Sequence, residues 1–231
     1  MAWAALREYA ELLLFVVGVG ALILLHRRER DRVRVHRGSF FSGCLHLFDS
    51  YRVTQEGLLY PVMSAAYRGY AVRLEPIVDD MAWRKIPSLW LKVTVICRLP
   101  YDGVFDFIAR PRGVEFYSPS GELEHRLPLP AEWPQDALFC SDDPDAMPPA
   151  ELMAPHISLF DDPQMKELLV TPRGIRLVRQ IWQADRAHYL VLRQAKFAEA
   201  LLDSELAKSL LDAAIRVADS LAVPEAERLV A

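Results

Sequence analysis

The chain has 231 residues, 52% of them hydrophobic and 25% charged, with a formal net charge of -4 at pH 7. That balance excludes a disordered chain and leaves room for one core of ordinary size plus a short additional element. The charge is uneven: residues 1–37 hold seven Arg against Glu8, Glu11, Glu29 and Asp31, and the rest carries a net of about -7. An acidic body excludes general nucleic-acid binding, which depends on neutralising phosphates.

In chain order, residues 1–11 are expected to form a short extracytoplasmic tail, 12–25 a transmembrane anchor and 26–37 a basic juxtamembrane collar. Leu12–Leu25 reads LLLFVVGVGALILL, fourteen residues without a polar side chain. A bilayer crossing usually takes roughly twenty residues. The expected span therefore borrows from the preceding turns, with Glu11, Trp3 and Tyr9 at headgroup level. A cleaved signal peptide carries its basic residues before the apolar core, whereas here His26-Arg27-Arg28 follows it. A buried helix apolar on all sides would have to sit deep in a core, an awkward place beside six arginines. The anchor is read as Leu12, Leu13, Phe15, Val16, Leu22 and Leu25, with Arg27, Arg28, Arg30 and Arg32 setting topology at the headgroups. Basic flanks stay on the cytoplasmic side. The expected arrangement is a single pass in the cell (inner) membrane, with the segment before the helix outside and the bulk of the chain cytoplasmic. Gly18 and Gly20 lie two apart, not four, so no small-residue dimer seam is expected, and the oligomeric state stays open.

Residues 38–127 are expected to be the β-rich part of the soluble domain, 128–165 a proline-rich connection and 166–231 a helical C-terminal part of the same domain. Gly38–Gly57 is ambiguous. Tyr70–Ile77, Leu89–Leu99, Val104–Ile108, Val114–Tyr117 and Leu123–Leu127 read as strands, β-branched or alternating and separated by Asp-Gly, Pro-Arg-Gly and Ser-Pro turns. They suggest an antiparallel meander. Seven prolines between Pro128 and Pro155 leave room for one strand, Ala137–Cys140, and a short turn at Pro149–Met153. Thr171-Pro172 reads as a helix start, with Ile175, Val178, Ile181 and Trp182 at helical spacing. His188–Leu192 reads as a strand. Asp203 is placed to cap a last helix whose stripe is Leu206, Leu210, Ala214, Val217 and Leu221, with Lys196–Leu202 also helix-prone and Pro224 ending it. The fold class is α+β: one N-terminal transmembrane helix, then an antiparallel β-rich domain with C-terminal helices.

The chemistry-bearing patterns are sparse. Asp142-Asp143-Pro144-Asp145 and Asp161-Asp162-Pro163 read as turns, not calcium loops. The six histidines and three cysteines form no HExxH or CxxC. No serine sits in a nucleophile elbow and no glycine loop could hold a phosphate. No catalytic, metal or cofactor-binding residue is assigned, and no cofactor is expected. Scattered, odd-numbered cysteines suit a reducing compartment. One pattern suggests binding: Arg173, Arg176 and Arg179 recur every third residue and would share a helix face as a partner-binding ridge. Trp83–Pro87 could instead dip into the membrane interface. The expected function is a membrane-tethered cytoplasmic interaction or assembly protein, scaffold-like, with a protein partner of unknown identity. The alternatives are a membrane-anchored hydrolase-like enzyme whose site is assembled from scattered residues, and an anionic-lipid sensing module.

Overall fold

A computed structural model describes residues 2–79, 86–112, 115–192, 195, 197 and 201–222. Its first element is one uninterrupted helix, α1 (Ala2–Gly38), 37 residues long. From Leu12 to Leu25 every large apolar side chain is open to solvent, from 38% at Val19 to 78% at Leu14. None of these side chains is buried among the described residues. Among the described residues no helix is long and apolar enough to cross a membrane. The side chains of residues 2–11, including Trp3, Tyr9 and Glu11, lie outside the described set, and so do those of Trp83, Arg84 and Lys85.

Immediately after α1 the chain enters the core: Phe40, Phe41 and Cys44 are essentially fully buried. A 3-10 turn at Leu45–Leu47 leads to the sheet. The nine described strands are β1 (Ser50–Thr54), β2 (Val62–Tyr67), β3 (Tyr70–Asp79), β4 (Ser88–Ile96), β5 (Phe105–Ala109), β6 (His125–Arg126), β7 (Ala137–Ser141), β8 (Met165–Thr171) and β9 (Gly174–Gln183). They form a single sheet in the order β1-β2-β3-β4-β9-β8-β5-β7-β6. Every described pairing is antiparallel. Of the expected meander only the step from β3 to β4 holds; β1 and β2 extend it on the N-terminal side, and the β8–β9 hairpin inserts beside β4 and separates it from β5.

Side chains alternate between two faces. The inner face carries Leu74, Leu89, Leu91, Val93, Val95, Leu168, Val170, Ile175 and Leu177, all nearly or fully buried. It is covered by α4 (Ser204–Ala222) together with α2 (Ala150–Met153) and the 3-10 segment Ala154–Asp161. The expected stripe is there: Leu210, Ala214, Val217 and Leu221 are buried, and Leu206 is partly so. Asp203 caps α4, its carboxylate accepting the amide of Leu206 at 3.0 Å. Polar pairs fix the helix over β2 and β3: Tyr67 donates to Asp212 at 2.8 Å, and Tyr70 donates to Asp219. Pro224 lies outside the described residues, as does most of Lys196–Leu202.

The structure departs from the helical reading of residues 166–231. Met165–Thr171 and Gly174–Gln183 are strands, not the start of a helix. Thr171 pairs with Gly174 across a two-residue Pro172-Arg173 loop. The Thr171 hydroxyl accepts the amide of Arg173 at 3.2 Å, so the residue caps a turn. Two β-bulges, one in the β4–β9 pairing and one in β8–β9, break the alternation that marks a strand. β8 is buried at almost every position because both of its faces are covered. The opposite error occurs at His188–Leu192, which is helical in α3 (Arg186–Leu192). Asp185 starts it, its carboxylate accepting the His188 amide at 2.6 Å. Residues 115–117 form a turn, not the strand expected at Val114–Tyr117, and Leu123–Leu127 shrinks to the two residues of β6.

Gly174 has a φ of +148°, and a Cβ there would stand 2.1 Å from the carbonyl oxygen of Val95. Gly57 has a φ of +55° in open space. In urea unfolding of the full chain in detergent, Gly174→Ala is expected to cost about 3 kcal/mol or more. Gly57→Ala is expected to cost about 1 kcal/mol.

Candidate functional site

Two places in the fold gather chemistry. The first lies on the outer face of the sheet. Asp106 of β5 and Glu167 of β8 stand in diagonal register on adjacent strands, Asp106 opposite Leu169 and Glu167 opposite Ile108. Both are 0% exposed. Glu167 is gripped by Arg176 of β9 through two bonds of 2.9 Å each, from Nε and from a terminal nitrogen. Asp106 accepts the Ser118 hydroxyl at 2.7 Å through Oδ2, and its Oδ1 meets no donor among the described residues. Beside this cluster Trp90 packs on Tyr117 with ring centroids 5.5 Å apart, over Val178 and Ile77. The segment Tyr117–Ser118 therefore closes the outer face above the carboxylates.

Burial dominates the electrostatics here. It pushes the Asp106 carboxyl up to about 7, with the Glu167 charge adding to the rise and Ser118 and Arg176 opposing it. Burial also raises Glu167, against the pull of Arg176. A carboxyl in that range can hold or release a proton near neutrality. In the described conformation both acids are sealed from solvent, so their chemistry is proton binding and structural pairing.

The second place is the joint between α1 and the body. Phe40 makes edge-on contacts with Phe41, Tyr60 and Trp182 at centroid distances of 4.9, 5.5 and 5.9 Å, and Tyr60 reaches Phe197 at 6.5 Å. Arg37 donates to the Leu58 carbonyl at 2.7 Å, and its guanidinium stands 5.1 Å over the Tyr60 ring. Gln55 donates to the Arg34 carbonyl at 3.1 Å, and the Leu202 amide to that of Phe40 at 2.7 Å. Above this joint a cleft of about 660 Å³ opens between the collar and the body, with His188 of α3 on its far side.

The residues expected to form a ridge are not brought together. Arg176 belongs to the outer cluster. By strand alternation Arg179 lies on the inner side, paired with Asp162 at 2.7 Å. Arg173 sits exposed in the β8–β9 turn. The shared-face geometry required a helix, and the segment is a strand. Of the collar, Arg30 and Arg32 line the cleft while Arg27 and Arg28 do not. The anchor residues Leu12, Leu13, Phe15, Val16, Leu22 and Leu25 are all exposed on one free-standing stretch of α1. The acidic triplets behave as turns: Asp142 accepts the Val104 amide at 2.6 Å, and Asp162 accepts that of Gln164 at 2.8 Å.

Sequence reasoning passed over Asp106 and the burial of Glu167. The available signal was a single acid inside an apolar run, Phe105-Asp106-Phe107-Ile108 and Met165–Val170, where an ionised group is costly unless paired. Compared with known proteins, the chain matches no family model, no curated protein and no solved structure.

Removing the partner of a buried charge costs far more than trimming an exposed one. Arg176→Ala is expected to lower the unfolding free energy by about 3 kcal/mol or more. Arg173→Ala should shift it by no more than about 0.5 kcal/mol. Chemical denaturation of the full chain checks both.

The raised Asp106 value fixes a sign. The native carboxyl keeps a proton that the unfolded chain releases above about pH 4. Its stabilising contribution is complete below that pH and is lost as pH rises through about 7. Asp106→Asn should therefore match wild type at or below about pH 4 and be the more stable protein at pH 8. Paired denaturation curves at the two pH values check the crossover.

Proposed function

We propose that the chain is a single-pass membrane protein whose α1 anchors a cytoplasmic interaction domain rigidly at the bilayer surface. One observation carries the reading. Eleven large apolar side chains between Leu12 and Leu25 are exposed around the whole circumference of a helix. Leaving them in water forgoes on the order of 20 kcal/mol of burial, at about 2 kcal/mol per side chain. That exceeds the total stability of an ordinary domain, roughly 5–15 kcal/mol. A lipid environment covers such a surface on every side at once. The fourteen apolar residues rise only about 21 Å against a hydrocarbon core of roughly 30 Å. The turns of α1 before Leu12, together with local thinning of the bilayer, make up the difference.

The collar gives direction, because Arg27, Arg28, Arg30, Arg32, Arg34 and Arg37 follow the apolar run and favour the cytoplasmic side. The helix runs unbroken through the collar into the joint at Phe40, so anchor and domain move as one body. The interaction reading is supported by β1. All five of its residues are exposed, and among the described strands it pairs only with β2. An open edge of this kind can add a partner's strand.

Wild type is expected in the membrane fraction after alkaline carbonate extraction. Val16→Arg combined with Leu22→Arg should release it, each charge costing about 3 kcal/mol at the helix centre. Protease added to inverted membrane vesicles should digest the body. A wild-type chain found in the soluble fraction would overturn the anchor, and a protected body would overturn the orientation.

A further inference from the structure

We infer that the cleft between α1 and the body binds the phosphate headgroup of one anionic phospholipid. The inference rests on α1 occupying the bilayer, as proposed above, and adds a ligand to that arrangement. His26, Glu29, Arg30, Arg32, Val33, His36 and Arg37 line one wall. All but Arg32 recur at the spacing of a single helix face, and Arg32 reaches the cleft from its flank. His26 directly follows the last apolar residue, Leu25, so the upper end of the wall stands at the headgroup layer. The opposite side is built from Tyr60, Phe197 and Leu58, with His188 above them. The cleft of about 660 Å³ falls within the range of small-molecule sites, roughly 300–1,000 Å³.

Arg30 and Arg32 on the collar wall have no strong ion pair among the described residues. Arg32 meets Glu29 only at 3.8 Å, with both side chains mostly exposed, a pairing worth close to nothing. Arg30 has no ion pair among the described residues. Arg37 is already committed to the Leu58 carbonyl and the Tyr60 ring, so it shapes the floor and leaves the phosphate to the other two. Glu29 opposes them, and the wall stays net positive. A cationic wall over an aromatic floor, opening at the membrane surface, has the chemistry of a phosphodiester with acyl chains attached.

The test uses the full chain in mild detergent, equilibrated with equal amounts of phosphatidylcholine and phosphatidylglycerol, with retained lipid read by native mass spectrometry. One phosphatidylglycerol per chain is expected, favoured about tenfold, equivalent to about 1.4 kcal/mol. Arg30→Ala with Arg32→Ala should abolish the preference. Arg27→Ala with Arg28→Ala removes the same charge outside the cleft and should keep it. Equal loss in both pairs, or no preference in wild type, would overturn the site in favour of a diffuse collar attraction. Displacement of the lipid by millimolar glycerol phosphate would overturn the commitment to a lipid. Carbonate extraction of the same preparations reports separately on the anchor, so a failed anchor and a failed lipid site give different results.

Discussion

The burial of Phe40 is the contact on which the arrangement depends. It lies two residues beyond the end of α1, is 0% exposed, and its ring touches Phe41, Tyr60 and Trp182. Tyr60 comes from the connection before β2 and Trp182 from the end of β9. One aromatic side chain thus ties the first helix to the central strand and to the loop before β2. Without it α1 would be a tether; with it the helix is a post whose direction is set by the core. Arg37 and Gln55 bond the last turns of α1 to the same loop, so the constraint reaches back into the collar.

That rigidity gives the exposed apolar surface its meaning. A flexible hydrophobic segment could fold back onto the body and cover part of itself. A helix continuous from Ala2 to Gly38 and locked at its base cannot. Its apolar girdle stays exposed, and the collar arginines follow it on the same helix. The cleft beside the collar is a by-product of the same geometry, since the post and the body diverge above Tyr60.

The sheet shows how charge is accommodated where the chain is otherwise apolar. Glu167 is tolerated at full burial because Arg176 holds both its oxygens on the neighbouring strand. Asp106 accepts only the Ser118 hydroxyl among the described residues, and burial and the Glu167 charge lift its carboxyl toward neutrality. The two acids are unequal because the register gives one a guanidinium and the other a hydroxyl.

The α+β class, strands β3, β4, β5 and β7, and the capped helix α4 were legible in the sequence because each follows from local pattern. Alternation or β-branching marks the strands, and the stripe from Leu206 to Leu221 behind Asp203 marks the helix. The apolar run Leu12–Leu25 and its basic flank were equally plain. The β8–β9 hairpin was not. Its two bulges and double-sided burial erase alternation, and Thr171-Pro172 serves a turn as readily as a helix start. The arginine ridge fell with it, because a spacing of three joins residues on a helix and separates them on a strand. Glu167 and Arg176 meet across one hairpin, nine residues apart, while Asp106 is distant in sequence, and only the pairing of β5 with β8 brings it to them. Local periodicity sets which segments can be helix or strand; the long-range register decides which side chains share a site.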